Sequence, residues 1–115
     1  MLRDQATLLD IAHAARRILE FTAATTQEQF LADPKTQSAV LYQLLVIGEA
    51  VKRLSPAFRA QHPHIPWSLM AGMRDHLIHG YDVVDWDEVW YTVQRDIPAL
   101  LDALEDLLPR GPAGP

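Results

Sequence analysis

An arginine, two histidines and a tyrosine lie within the eight residues from Arg74 to Tyr81. An arginine can bind a phosphate through two parallel hydrogen bonds and stabilise the charge that develops on its oxygens. A histidine, with a reference pKa of about 6.5, can take a proton from a ribose 2′-hydroxyl or protonate a leaving oxygen. Arg74 and His79 together therefore indicate phosphodiester chemistry, and this chemistry does not require a metal ion.

The same residues also have a structural interpretation, and spacing alone favours it. Arg74 could lie at the rim of a helix with its apolar stem along the surface. His79 could be a favourable cation at a helix C-terminus, worth about 0.3–1 kcal/mol. Tyr81 could be a partly buried residue that closes the helix, or else a phosphate contact or an exposed phenol open to modification. Both interpretations remain open at this point.

A helical projection at about 100° per residue places Arg74 among apolar side chains. The apolar members of this arc are Met70, Met73, Leu77 and Ile78. A guanidinium in such surroundings needs an anionic or hydrogen-bonding partner. His79 projects about 140° away from Arg74, so the two converge only if the helix unwinds near Gly80 or a second copy supplies one of them. A two-fold dimer would bring two arginines and two histidines together.

Other histidines raise the question of a metal site. His76 precedes His79 by three residues, and His62 is separated from His64 by one residue. Neither pair brings the third and fourth ligands of a usual zinc site. We therefore expect no metal. The three tryptophans are expected in the core rather than as a base-stacking platform.

Composition is consistent with one soluble domain, expected at residues 1–108 and followed by a flexible tail at 109–115. The chain has 115 residues, 49% of them hydrophobic, no cysteine and a net charge of -5. No signal peptide or membrane span is present, so we expect a cytoplasmic location. Positive charge predominates over residues 52–80 although the total is acidic. A small, salt-sensitive RNA footprint is therefore expected there.

The residues that position this motif belong to predicted amphipathic helices. Apolar residues recur at helical spacing over residues 4–21, 33–54 and 85–108. The motif itself would lie on a further helix that begins at Pro66 and stops at Gly80. No strand-like alternation is visible. The sequence therefore predicts an all-α, up-and-down helical bundle with about four main helices and one or two short ones.

Short polar signals mark the predicted helix starts. The capping side chains are Asp4, Thr26 (with Gln29 in a capping box), Asp33, Ser55 and Asp85. Gly48, on the inner face of the 33–54 helix, would let a neighbouring helix approach closely. Glu49 is expected on its flank, where a second role beside the basic window is possible. Pro98 should kink the last helix.

Taken together, these residues resemble the HepT-like group of HEPN-domain proteins. The matching segments are Asp10-Ile11, Phe30-Leu31-x-Asp33, Ile47-Gly48-Glu49-Ala50, Ile65-Pro66-Trp67, Gly72-Met73-Arg74-Asp75, His79-Gly80-Tyr81 and Val89-Trp90, and the resemblance extends to Pro98. Arg74, His79 and Tyr81 match the group's signature of arginine, four residues, histidine, one residue and tyrosine. Asp75 stands where the group most often has asparagine, and its carboxylate could alter phosphate affinity.

The resemblance implies a HEPN bundle that works as a homodimer, with an RNA-cleaving site where the two motifs face each other. Arg74 and His79 would be catalytic, Asp75 would assist them, and cleavage would need neither a metal nor a cofactor. A partner nucleotidyltransferase of the MntA type would act as antitoxin by transferring AMP from ATP onto Tyr81. An alternative is a non-catalytic module that binds a nucleotidyltransferase and helps to hold its substrate or nucleotide.

Overall fold

The computed structural model describes residues 3–79 and 83–108. This part of the chain is almost entirely helical, as predicted, with one short hairpin between the sixth and seventh helices. The helices are α1 (Arg3–Thr22), α2 (Gln27–Leu31), α3 (Pro34–Arg53), α4 (Pro56–Gln61), α5 (Trp67–Ala71), α6 (Met73–Leu77), α7 (Trp86–Tyr91) and α8 (Ile97–Glu105), with strands β1 (Ile78–His79) and β2 (Val83–Val84) and a π-helical segment (Thr92–Asp96). The all-α bundle predicted from the sequence is confirmed.

Side-chain caps begin four of these helices where the sequence predicted them. Thr26 Oγ1 accepts from the Gln29 N–H at 3.1 Å, and Gln29 Oε1 accepts from the Thr26 N–H at 3.0 Å, so the capping box of α2 is confirmed. The side chains of Asp33, Ser55 and Asp85 likewise accept from backbone N–H groups in the first turns of α3, α4 and α7. Each cap satisfies a backbone N–H that has no partner within its helix.

The predicted N-cap role of Asp4 is wrong. Asp4 lies within the first turn of α1, which already includes Arg3. Its carboxylate instead accepts from the Ser55 backbone N–H at 2.9 Å and from the Ser55 hydroxyl at 2.8 Å. Asp4 therefore ties the start of α1 to the cap of α4, 51 residues later in the chain. Local sequence could not indicate this contact.

The core lies between the long helices. Helix α1 packs against α3 and α8, and α3 packs against α5. The buried apolar side chains include Leu8, Ile11, Ile18, Val40, Leu44, Ile47, Val51, Met70, Met73, Leu77, Val93, Ile97 and Leu104. A Cβ atom added at Gly48 would lie only 3.1 Å from the Met70 carbonyl oxygen, so the predicted close approach at Gly48 is confirmed.

The helix predicted around the motif is shorter and broken. It divides at Gly72 into α5 and α6, and α6 ends at Leu77 rather than at Gly80. His79 therefore lies on β1, where it pairs with Val83 of antiparallel β2. The expectation that the chain contains no strand is corrected by this two-residue pairing. Gly80 lies outside the described residues.

Pro98 disturbs the regular helical backbone in the turn that precedes the proline. Proline has no N–H and its ring collides with the preceding turn, so a regular α-helix cannot pass through it undisturbed. The backbone over Thr92–Asp96 is π-helical, and α8 then starts with Pro98 in its first turn. The disturbance that the sequence predicted as a kink is thus seen as a widened helical segment.

The tryptophans lie in the core or against it, as predicted. Phe30 of α2 packs against Trp86 and Trp90 of α7, with ring centroids 6.2 and 5.2 Å apart. Trp67 is buried, and its Nε1–H donates to the His62 carbonyl at 3.0 Å. None of the helices in the described part of the chain has the length and apolarity needed to cross a lipid bilayer. The expected tail at 109–115 lies outside the described residues.

Candidate active site

Arg74 is exposed, which corrects the expectation that it shares the apolar arc. On α6, which begins after the break at Gly72, Met73 and Leu77 are buried in the core whereas Arg74 is exposed. Among the described residues, nothing forms a hydrogen bond or ion pair with its guanidinium. An exposed guanidinium with its donors unused is available for an anionic ligand.

The Arg74 side chain lines a groove between α3 and the α5–α6 region, with a volume of about 200 Å³. Its other lining residues are Leu45, Gly48, Glu49, Lys52 and Ala71. Glu49 is exposed, as predicted, and its carboxylate lies 3.2 Å from the Lys52 ammonium. Because Lys52 offsets the charge of Glu49, Arg74 leaves the groove with a net positive charge. Such a groove attracts phosphate.

His79 is held outside the helix, with 59% of its side chain exposed. Its Nε2 atom lies 3.9 Å from Oδ2 of Asp85, the N-cap residue of α7. Asp85 is itself fixed, because its Oδ1 accepts from the Glu88 N–H at 3.0 Å and its own N–H donates to the Leu77 carbonyl at 2.9 Å. The sequence identified Asp85 only as a cap. Its proximity to His79 depends on the hairpin, which the sequence analysis did not predict.

His76 has a different environment. Its Nε2 lies 2.9 Å from Glu88 Oε1, so this imidazole bridges α6 and α7. Asp75, next to Arg74, is exposed and forms no hydrogen bond or ion pair within the described residues. The structure therefore separates His76, which has a direct hydrogen bond, from His79, whose ion-pair partner among the described residues lies beyond hydrogen-bonding distance. Tyr81 lies outside the described residues.

His62 and His64 lie at a different part of the surface. Their ring centroids are 6.1 Å apart, and the His62 ring packs on Phe58 at 4.7 Å. Across residues 3–79 and 83–108, no group of three or more histidine, aspartate or glutamate side chains is arranged to hold a metal ion.

The described residues form an all-α helical bundle of the HEPN type, with an exposed arginine that lines a positively charged groove and an exposed histidine on the strand that follows. A family model described as "Ribonuclease HepT-like" matches residues 11–107, and the chain belongs to this HepT-like ribonuclease family. The resemblance found in the sequence is confirmed.

Two relatives illustrate the similarity. A protein named "Probable ribonuclease HepT" from Thermococcus cleftensis is 50% identical over 100 residues, covering 87% of this chain and 91% of the relative. "Putative RNase MJ0127" from Methanocaldococcus jannaschii is 39% identical over 104 residues, covering 90% of this chain and 86% of the relative. No solved structure matches the chain significantly.

Proposed function

We propose that this protein is a metal-independent RNA endonuclease that acts as the toxin of a toxin–antitoxin pair. The observation that carries the proposal is the exposure of both Arg74 and His79 on consecutive elements, α6 and β1, with Arg74 lining a groove of net positive charge. The guanidinium of Arg74 has no hydrogen-bond or ion-pair partner within the described residues, so all its donors are available to a phosphate.

The two side chains have complementary parts in strand cleavage. Arg74 binds the phosphate and stabilises charge on its non-bridging oxygens. His79 takes the proton of the ribose 2′-hydroxyl, the 2′-oxygen forms a bond to phosphorus, and the bond from phosphorus to the 5′-oxygen breaks. The departing 5′-oxygen needs a proton from a second acid. One histidine cannot be base and acid in the same step, so a second copy of His79 is proposed as the acid.

The homodimer follows from this requirement. One protomer offers one Arg74 and one His79, whereas two-fold symmetry doubles each. Val83, which pairs with His79 across the hairpin, is 58% exposed although it is apolar. An exposed apolar residue beside the proposed site is a suitable contact for a second copy. Light scattering should give the mass of a dimer at micromolar concentration, and a monomer would contradict the composite site.

Neutralisation is proposed to occur through a nucleotidyltransferase of the MntA type that transfers AMP from ATP onto Tyr81. AMP attached two residues after His79 would add bulk and negative charge where RNA phosphates must bind. After co-expression with the partner, mass spectrometry should show AMP on Tyr81. Modification of another residue instead would contradict this assignment.

RNA cleavage in EDTA tests the enzyme directly. Arg74→Ala and His79→Ala should lower the rate, for the acid–base histidine by roughly 10²–10⁴-fold. His76→Ala is the matched control, because His76 lies three residues before His79 and its imidazole is already hydrogen-bonded to Glu88. It should retain most of the activity. Equal residual activity in Arg74→Ala, His79→Ala and wild type would identify a contaminating nuclease and contradict the proposal.

Asp75 favours a second candidate function. Its exposed carboxylate lies next to Arg74 in the chain and repels an anion there. A weakened phosphate site would suit a non-catalytic module that binds a nucleotidyltransferase and helps to hold its substrate or nucleotide. If the protein is a nuclease, Asp75→Asn should raise cleavage, because the amide keeps a polar group at the assisting position and removes the negative charge. Inactivity of both the wild type and Asp75→Asn, with tight binding to the nucleotidyltransferase, would support this second function.

A further inference from the structure

Asp85 lies where the hairpin meets α7, and its polar groups have distinct roles. The backbone N–H closes the hairpin by donating to Leu77, and Oδ1 accepts the cap hydrogen bond from Glu88. Oδ2 is not used by the cap, and it lies 3.9 Å from His79 Nε2. The cap thus fixes the carboxylate so that its second oxygen faces the imidazole.

We propose that Asp85 is a positioning residue for His79. Its Oδ2 accepts the Nε2–H of the imidazole, which selects that tautomer and leaves Nδ1 without a proton. Nδ1 is then the atom that takes the 2′-hydroxyl proton of RNA. The catalytic consequence rests on the proposed nuclease function, whereas the tautomer is a property of the protein alone.

The observed distance agrees with a positioning role. A separation of 3.9 Å is longer than a hydrogen bond but within the range of an ion pair. Catalytic hydrogen bonds are often long in the absence of substrate and shorten when it binds. With side-chain exposures of 59% and 44%, the pair adds little to stability. The main physical effect of Asp85 on His79 is therefore to orient the imidazole through a carboxylate whose own direction is fixed.

The other two carboxylates at the start of α7 have partners other than His79. Glu88 is the other carboxylate at the start of α7 close to a motif histidine, and it is occupied by His76 at 2.9 Å. Asp87, between them, lies 3.4 Å from the Gln27 side-chain amide instead. Among the described residues, Asp85 is the carboxylate within ion-pair distance of His79. Glu88 consequently provides a matched control on the same helix.

Kinetics of three variants test the proposal. Asp85→Asn and Asp85→Ser both retain an oxygen that can accept the cap hydrogen bond, and both remove the carboxylate from His79. We expect kcat to fall roughly 10–100-fold, as for other partners that orient a functional histidine, with KM nearly unchanged. Glu88→Gln, which keeps the backbone N–H of the cap, should retain wild-type kcat. Wild-type kcat in folded Asp85→Asn and Asp85→Ser would overturn the proposal.

NMR of the imidazole nitrogens provides a readout that a purely structural role would not change. In the wild type, neutral His79 should carry its proton on Nε2, with the signal assigned by its loss in His79→Ala. In Asp85→Asn, the amide NH2 can donate to Nε2 and should favour the Nδ1–H tautomer. The same tautomer in both proteins would overturn the proposal.

The two measurements separate this inference from the nuclease proposal. If the wild type does not cleave RNA but the tautomer of His79 depends on Asp85, the nuclease function fails and the positioning role stands. If the wild type cleaves RNA and the Asp85 variants cleave equally well, the nuclease function stands and the positioning role fails. Should Asp85→Asn not fold, Asp85→Ser supplies the kinetic comparison.

Discussion

We call helices α1 to α4, α7 and α8 the scaffold, and residues 67–79 the motif segment. The two differ in how their helices begin. Helices α2, α3, α4 and α7 each begin at a side chain that caps their first turn. Helices α5 and α6 have Pro66 and Gly72 at their N-cap positions, and neither has a side-chain cap. Four scaffold helices are therefore started by local side-chain caps; α8 and the two motif helices are not, and the motif segment is held by contacts with other parts of the fold.

Two such contacts hold the motif segment. On one side, α3 approaches the Met70 carbonyl at Gly48, where only a glycine fits without a shift. On the other, the Asp85 N–H donates to the Leu77 carbonyl and fixes the end of α6. The segment thus buries Leu77 and presents Arg74 on its outer side. Because Leu77 stays buried while Arg74 is exposed, the segment presents a charged group without removing an apolar side chain from the core.

The largest expected effect tests the scaffold. Phe30→Ala should lower the free energy of unfolding by about 3–5 kcal/mol, because it leaves a cavity beside Trp86 and Trp90. Leu31→Ala, at the next position, removes a side chain that is 40% exposed and should cost less than about 1 kcal/mol. Urea denaturation measures both. Equal effects at the two positions would mean that the aromatic cluster does not anchor α2.

A smaller effect tests the contact between scaffold and motif. Gly48→Ala should lower the free energy of unfolding by about 1 kcal/mol, because the new Cβ meets the Met70 carbonyl at 3.1 Å. Gly72→Ala is the matched control, since its Cβ would come no closer than 3.4 Å to the Ser68 carbonyl. That change should be neutral or slightly stabilising. A Gly48→Ala protein more stable than wild type would show that the approach of α5 is not restrictive.

The smallest effect concerns pH. Hydrogen bonds from the Ser55 backbone and hydroxyl lower the pKa of the Asp4 carboxyl below its ordinary value of 3.8. A lowered folded-state pKa stabilises the protein above the unfolded value, and this contribution is lost as the pH falls through the folded value. Asp4→Asn should therefore be less stable than wild type at neutral pH, with a difference that shrinks below about pH 3.8.

Denaturation curves at neutral and acidic pH measure this difference. Asp10→Asn is a suitable control, because Asp10 lies on the same helix, is exposed and forms no hydrogen bond or ion pair within the described residues. Its stability should follow the wild type at each pH. A constant deficit of Asp4→Asn across the range would show that Asp4 contributes through packing rather than charge.

The sequence alone predicted the capped starts of α2, α3, α4 and α7, the close approach at Gly48 and the burial of the tryptophans. These features depend on residues three or four positions apart, or on a single residue type, so local patterns encode them. Helix α3, for example, runs from Pro34 to Arg53, within a residue of the range that its cap and apolar spacing predicted.

Only the tertiary structure decided the orientation of the motif residues. Helical projection placed Arg74 among apolar side chains, whereas in the structure the helix is divided at Gly72 and Arg74 is exposed. The hairpin then moved His79 off the helix and beside Asp85. Both outcomes depend on contacts with α3 and α7, which are distant in the chain, and helical periodicity carries no information about such contacts.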